Sequence, residues 1–193
     1  MARILAIAGS NRIGSLNQRL LDHACERLRT LGTHVTSRNL TDFDLPLYDP
    51  NEEARSGLPA GVLRLKEEFV AHDGFLIASP EYNSSFSPLL KNALDWASRP
   101  SPGEPPLNAY RGRVATLLAA SPGALGGLRG LVHLRAVLSN IGVLVLPGQM
   151  ALGKAHEAFN DDGQLKDEAM ARMLMACVSE LHRVAGALFP TER

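Results

Sequence analysis

The segment Gly9-Ser10-Asn11-Arg12-Ile13-Gly14-Ser15-Leu16-Asn17 gathers hydroxyl, amide and guanidinium groups between a short apolar run and a helical pattern. A helix N-terminus offers free backbone N–H groups and the positive end of the helix dipole, so such a loop is suited to cradle a phosphate. Gly9 permits the sharp turn away from the preceding strand. The loop does not match GxGxxG and carries no Lys-Ser/Thr of a Walker loop, which weakens dinucleotide and triphosphate readings. It has no cysteine at its start, which removes a cysteine phosphatase. Ordinary helix capping would need Ser15 alone; the convergence of Ser10, Arg12, Ser15 and Asn17 favours phosphate binding.

Two further segments carry polar or glycine-rich turns after apolar runs. Pro80-Glu81-Tyr82-Asn83-Ser84-Ser85-Phe86-Ser87-Pro88 precedes a second helix start. Its amides and side chains can hydrogen-bond the rim of a planar heterocycle, and the body of Tyr82 can cover one face. Glu81 has the chemistry of a general base, but a turn carboxylate is more often a solvated one, and no catalytic role is assigned to it. Ser121-Pro122-Gly123-Ala124-Leu125-Gly126-Gly127 would let a planar ligand approach the backbone closely; the alternative is a flexible turn. No GxSxG elbow surrounds Ser121, so a hydrolase nucleophile is not indicated.

These loops need a frame that brings them together. Apolar runs at Ile4–Ala8, Gly74–Ser79, Val114–Ala120 and Gly142–Leu146, with a weaker one at His34–Leu40, read as strands. Helical spacing covers 15–31, 58–71, 88–97, 125–140 and roughly 164–188. The alternation βαβαβαβαβα predicts a doubly wound α/β fold: a flavodoxin-like five-stranded parallel sheet with helices on both faces. In such sheets ligands sit outside the carboxyl ends of the strands, where all three loops fall. Two long connections, 41–57 and 98–112, are rich in helix breakers and are read either as functional or mobile loops or as solvent-exposed linkers.

The chain has 193 residues and suits one domain, 1–193. Lys+Arg and Asp+Glu are each 20, so the net charge is zero. That disfavours nucleic acid and anionic membranes as partners. Cys25 and Cys177 are far apart and lack metal or redox spacing, and the six histidines show no ligand pattern, so no metal site is assigned. No apolar stretch approaches a membrane span or a signal peptide, and a cytoplasmic location is expected.

GSxRxxSxN, PEYNxS followed by LKNAxDW, and SPGxxGGxR together resemble the NADPH-dependent FMN reductase family, with its quinone, chromate and azo reductase relatives. The resemblance implies a flavodoxin-like fold, bound FMN, NADPH or NADH as co-substrate, and a homodimer or homotetramer. By position, Ser10, Arg12, Ser15 and Asn17 would hold the FMN phosphate. Pro80, Glu81, Tyr82 and Asn83 would contact the isoalloxazine, and Ser121 and Gly123 would line its other side. The 88–97 helix, with Leu90, Leu94 and Trp96, would lie near a subunit interface, Trp96 being expected on an exposed side. The loop 46–49 would border a neighbour's site. Ser84-Ser85-Phe86 departs from the usual stretch after the PEYN asparagine. The implied reaction is ping-pong: hydride passes from NAD(P)H to flavin N5, then two electrons reach a quinone, free flavin, azo compound or chromate. The chemistry would sit on the flavin, with no catalytic side chain. A single-electron carrier is the alternative, disfavoured by Arg12 and the zero net charge; a regulatory FMN-binding protein is another.

Overall fold

The computed structural model describes residues 1–190; residues 191–193 of the expected domain lie outside the described residues. The uninterrupted apolar runs become central strands because a parallel strand is covered on both faces. These are β1 (Arg3–Ala8), β3 (Gly74–Ala78) and β6 (Val114–Ala120), the last two buried at every position. β2 (His34–Asn39) and β7 (Leu144–Leu152) flank them, giving the five-stranded parallel order β2-β1-β3-β6-β7. This is the expected flavodoxin-like order. β2 is mostly exposed, which explains its weak apolar pattern. β7 runs further than the expected Gly142–Leu146, because a register shift beside Ala115 and Leu117 lets it resume pairing at Gln149.

Alternate side chains of the sheet feed two cores. Ile4, Ala6, Leu76 and Leu118 pack under α1 (Leu16–Thr30) and α6 (Glu168–Leu188). Leu5, Ile7, Phe75, Ile77 and Leu117 pack under α3 (Ala60–Ala71), α4 (Pro88–Ala97) and α5 (Leu128–Asn140). The long 41–57 connection is partly ordered: a 3₁₀ turn spans Leu40–Phe43, and Asp49 caps α2 (Pro50–Ser56) through a bond to Asn51 N–H. A hairpin of β4 (Glu81–Tyr82) and β5 (Ser85–Phe86) follows β3, its turn made by Asn83 and Ser84 at positive φ.

The expectation that Trp96 is exposed is overturned. Trp96 is 0% exposed within its own chain. Its Nε1 donates to the Pro46 carbonyl at 2.7 Å, and the Tyr48 ring meets it edge-on at 4.9 Å between centroids. Asn92 completes the clamp, donating to Pro46 O and accepting from Tyr48 N–H. A helical pattern shows which residues turn away from the sheet, but not that the 46–48 strap covers them. Leu90 and Leu94 are likewise buried in the core beneath α4.

The second long connection is latched to α3 by Lys66, a buried ammonium. Its Nζ donates to Arg99 O, Ser101 Oγ and Glu104 Oε2, at 2.7, 2.7 and 2.5 Å. The Lys66 bond, with the Ser101 N–H, holds the Glu104 carboxyl below its ordinary range against a smaller opposing effect of burial. A carboxyl lowered on folding stabilises above its unfolded pKa and loses that contribution as pH falls through the folded value. Glu104→Gln is therefore expected to lower the melting temperature at pH 7, with the gap to wild type narrowing below about pH 4. Thermal melts across pH check this; a constant gap would contradict it. Thr116, at the centre of β6, is fully buried and its hydroxyl has no hydrogen-bond partner. A stranded buried hydroxyl costs about 1–3 kcal/mol. Thr116→Val is expected to recover about 1 kcal/mol or more of that, read as a higher denaturation midpoint.

Candidate functional site

The strand order reverses between β1 and β3, so the loops after them diverge to opposite faces and leave a crevice. Gly9 N–H donates to Ala78 O at 2.8 Å, binding the two strand ends together. A Cβ on Gly9 would stand 2.8 Å from Ser87 Oγ and 3.0 Å from Leu90 Cβ. Gly9 therefore serves the approach of α4 as well as the turn. A cleft of about 120 Å³ opens here, lined by Ser10, Arg12, Ser15, Asn17, Pro80, Glu81, Tyr82 and Ser121 from the candidate set. Leu16, Ala120 and Pro122 complete it. Asn83 and Gly123 are not in its lining; both are exposed, on the hairpin tip and the 121–127 turn.

At the α1 end, Ser15 Oγ accepts from Gln18 N–H at 3.2 Å, the ordinary N-cap bond. The first helical amides, Leu16 and Asn17, have no carbonyl one turn earlier to bond. Ser10 Oγ accepts from Arg12 N–H at 3.3 Å. Among the described residues the Arg12 guanidinium has no partner, and its side chain is exposed. Asn17 differs from the other three. It is buried, its Nδ2 donates to Ala120 O and its Oδ1 accepts from Ala120 N–H, both at 2.9 Å. The amide behaves as a short piece of strand that fastens α1 to the end of β6. One Nδ2 hydrogen and Oδ1 are committed to Ala120, so beside its backbone N–H Asn17 keeps only the second Nδ2 hydrogen.

At the other end, Tyr82 is 53% exposed and free to cover a planar ligand. Ser87, which caps α4 through Leu90 N–H, also donates its own N–H to Ser79 Oγ. Ser121 Oγ accepts from Gly123 N–H at 3.1 Å, shaping the turn. The glycines of that turn do different work. Cβ atoms on Gly126 and Gly127 would stand 2.6 Å from the backbone of 151–153 and 2.8 Å from Ala119 Cβ. These two permit close packing on β6 and β7, whereas a Cβ on Gly123 would make only an ordinary contact, 3.5 Å from Ser121 Oγ.

Glu81 carries a contact across the cleft wall that no local pattern signalled. Arg129 Nε and Gly130 N–H, on the first turn of α5, donate to its two carboxylate oxygens at 2.8 and 3.2 Å. Against the upward push of burial, pairing with Arg129 and backbone N–H groups holds the carboxyl below its ordinary range, which makes it a weaker base. The thiols are unsuited to chemistry. Burial pushes Cys25 up to about 12 and raises Cys177, and both are free and buried. Among the described residues no cluster of His, Cys, Asp and Glu could hold a metal, and no helix is long and apolar enough to cross a membrane.

The sequence matches the NADPH-dependent FMN reductase family over residues 2–157. An NAD(P)H-dependent FMN reductase of Pseudomonas aeruginosa is 36% identical over 174 residues, covering 89% of each chain. A probable NADPH:quinone oxidoreductase of Oryza sativa subsp. japonica is 35% identical over 191 residues, covering 95% of this chain and 91% of the relative. Among solved structures, the flavoenzyme NAD(P)H:(acceptor) oxidoreductase of Paracoccus denitrificans superposes with a TM-score of 0.82 at 28% identity, covering 97% and 98% of the two chains. The loops that build the cleft, at 9–17, 80–88 and 121–129, all lie within the matched residues, and the chain belongs to the NADPH-dependent FMN reductase family of flavin-dependent oxidoreductases.

Proposed function

We propose that this protein binds FMN in the cleft at the carboxyl ends of β1, β3 and β6 and uses NAD(P)H to reduce quinones. The observation that carries the reading is the donor set at the start of α1. Arg12 is without a partner, Ser10 and Ser15 present hydroxyls, and two unbonded amides stand beside them. That set fits one terminal phosphate. Bound FMN would accept two electrons from NAD(P)H and pass them to a quinone, with free flavin, azo compounds or chromate as further acceptors.

The side chains have binding and orienting roles. Ser10, Arg12 and Ser15 hold the phosphate with the Leu16 and Asn17 N–H groups, while the Asn17 side chain keeps those amides in register with β6. Pro80 to Asn83 border the ring and Tyr82 covers part of it. Ser121 and Gly123 border its other side, where the missing Cβ of Gly123 leaves room for donor and acceptor to stack in turn. A homodimer or homotetramer in the cytoplasm is the assembly proposed, without the Trp96 contact.

Arg12 and Asn17 are expected to part company on mutation. Hydrogen bonds to a charged group contribute roughly 1.5–3 kcal/mol, so Arg12→Ala should weaken FMN binding about ten- to a hundred-fold. The melting temperature of the flavin-free protein should hardly move, because Arg12 bonds nothing through its side chain. Asn17→Ala strands the N–H and C=O of Ala120, at about 1–3 kcal/mol for each group, and should lower the stability of the flavin-free protein. Flavin fluorescence titration and melts of the apoprotein separate the two effects. Unchanged FMN affinity in Arg12→Ala would defeat the phosphate assignment.

The activity itself is tested by mixing the FMN-loaded protein with NAD(P)H alone, then adding a small quinone. The yellow colour should bleach and return with no partner protein, and initial rates should give parallel double-reciprocal lines. Bound FMN that NAD(P)H leaves oxidised until a separate reductase is added would replace the enzyme by a carrier.

A further inference from the structure

α5 has no cap from its own sequence, since Gly127 stands at the N-cap position without a side chain. Glu81, forty-odd residues earlier, supplies the missing acceptor. Its Oε2 takes the Gly130 N–H, and its Oε1 takes Arg129. The approach depends on Gly130, where a Cβ would stand 3.3 Å from the Ser85 backbone and 3.4 Å from Glu81 Cβ. Burial alone would push the Glu81 carboxyl up, but Arg129 together with backbone N–H groups outweighs it and holds the group below its ordinary range. The Glu81 side chain is 9% exposed and that of Arg129 58%. The Glu81 carboxylate thus stands in the cleft wall beside Tyr82, and the Arg129 guanidinium and the positive end of α5 meet it from behind that wall.

Together these charges nearly cancel. Removing Arg129 leaves the nearly buried Glu81 carboxylate uncompensated in the cleft wall, where burial screens it less than open water would. Removing Glu81 leaves the α5 end and the more exposed Arg129 uncompensated behind that wall. We propose that Glu81 and Arg129 form a positioning pair that fixes the β4–β5 hairpin on α5 and, by keeping the ring end of the cleft electrically balanced, sets the reduction potential of bound FMN. This deepens the proposed function and rests on FMN occupying the cleft.

The test is the midpoint potential of bound FMN in wild type, Glu81→Gln, Arg129→Gln and the double variant, with amide hydrogen exchange at 82–86 measured on the flavin-free proteins. Glu81→Gln leaves Arg129 and the α5 end positive, which favours the negative charge arriving with electrons, so the potential should rise. Arg129→Gln leaves Glu81 negative, and the potential should fall. The double variant should return toward wild type, and exchange in the hairpin should quicken in each single variant. A purely structural role has no reason to move the potential in opposite directions. Shifts of one sign, no shifts, or unchanged exchange would overturn the pair while leaving FMN binding intact. Wild type that takes up no FMN would overturn the proposed function as well. Should Glu81→Gln fail to retain FMN, Arg129→Gln against Arg129→Lys decides: a fall for Gln and wild-type potential for Lys support the pair, and any other pattern overturns it.

Discussion

The reversal of strand order between β1 and β3 is the constraint from which the cleft follows. Chain leaving β1 enters α1 on one face, while chain leaving β3 passes through the hairpin to α4 on the other. Two loops that begin at hydrogen-bonded strand ends must therefore part, and the space between them cannot be filled by either helix. The Gly9 N–H bond to Ala78 O closes the floor of this space. Asn17 closes one side by pairing with both backbone groups of Ala120, which brings the end of β6 into the same wall. Three loops separated in sequence become one surface because the sheet is parallel and each loop leaves its carboxyl edge.

Close backbone packing governs the residues around this surface more than ligand clearance does. Gly9 makes room for Ser87 and Leu90, Gly127 for Ala119, and Gly126 for the 151–153 backbone. A glycine-rich turn in the sequence is compatible with either use, and the distances separate them. The same economy appears on the far side of α4. Asn92 and Trp96 spend polar atoms on the Pro46–Tyr48 strap, so two prominent residues of LKNAxDW fasten that strap over α4.

The parts legible in the sequence were those with local signals. Ile4–Ala8, Gly74–Ala78 and Val114–Ala120 are continuous apolar runs because both faces are covered, and Ser15 and Ser87-Pro88 mark helix starts by their own chemistry. β2 gave a weak signal because it is an edge strand, and β7 was read short because Pro147-Gly148 interrupt a run that the register shift in fact accommodates. α2 was hidden in a stretch crowded with charges and has no buried residue to set a pattern. The hairpin turn at Asn83-Ser84 lacks the glycine that usually announces positive φ. Trp96 was misplaced, and Glu81 with Arg129 missed, for one reason: periodicity describes an element's own faces, whereas these contacts are made by chain far away in sequence.

Three helix starts converge on the carboxyl edge of the sheet, and they are not equivalent. α4 begins at Ser87, whose hydroxyl takes Leu90 N–H, with Pro88 in the first turn removing one free donor. α5 is met by the Glu81 carboxylate, so its positive end already faces a negative group. α1 is capped only by Ser15, and the Leu16 and Asn17 amides remain directed outward with Arg12 beside them. An anionic group approaching this edge meets one start with a donor removed by Pro88, one neutralised start, and one with both early amides beside an unpartnered Arg12. The fold itself supplies all three, since every crossover in a parallel sheet delivers a helix N-terminus here. The capping residues are what make the three starts unlike one another, and the start of α1 is the one that pairs free amides with an unpartnered guanidinium, the feature on which the proposed phosphate seat rests.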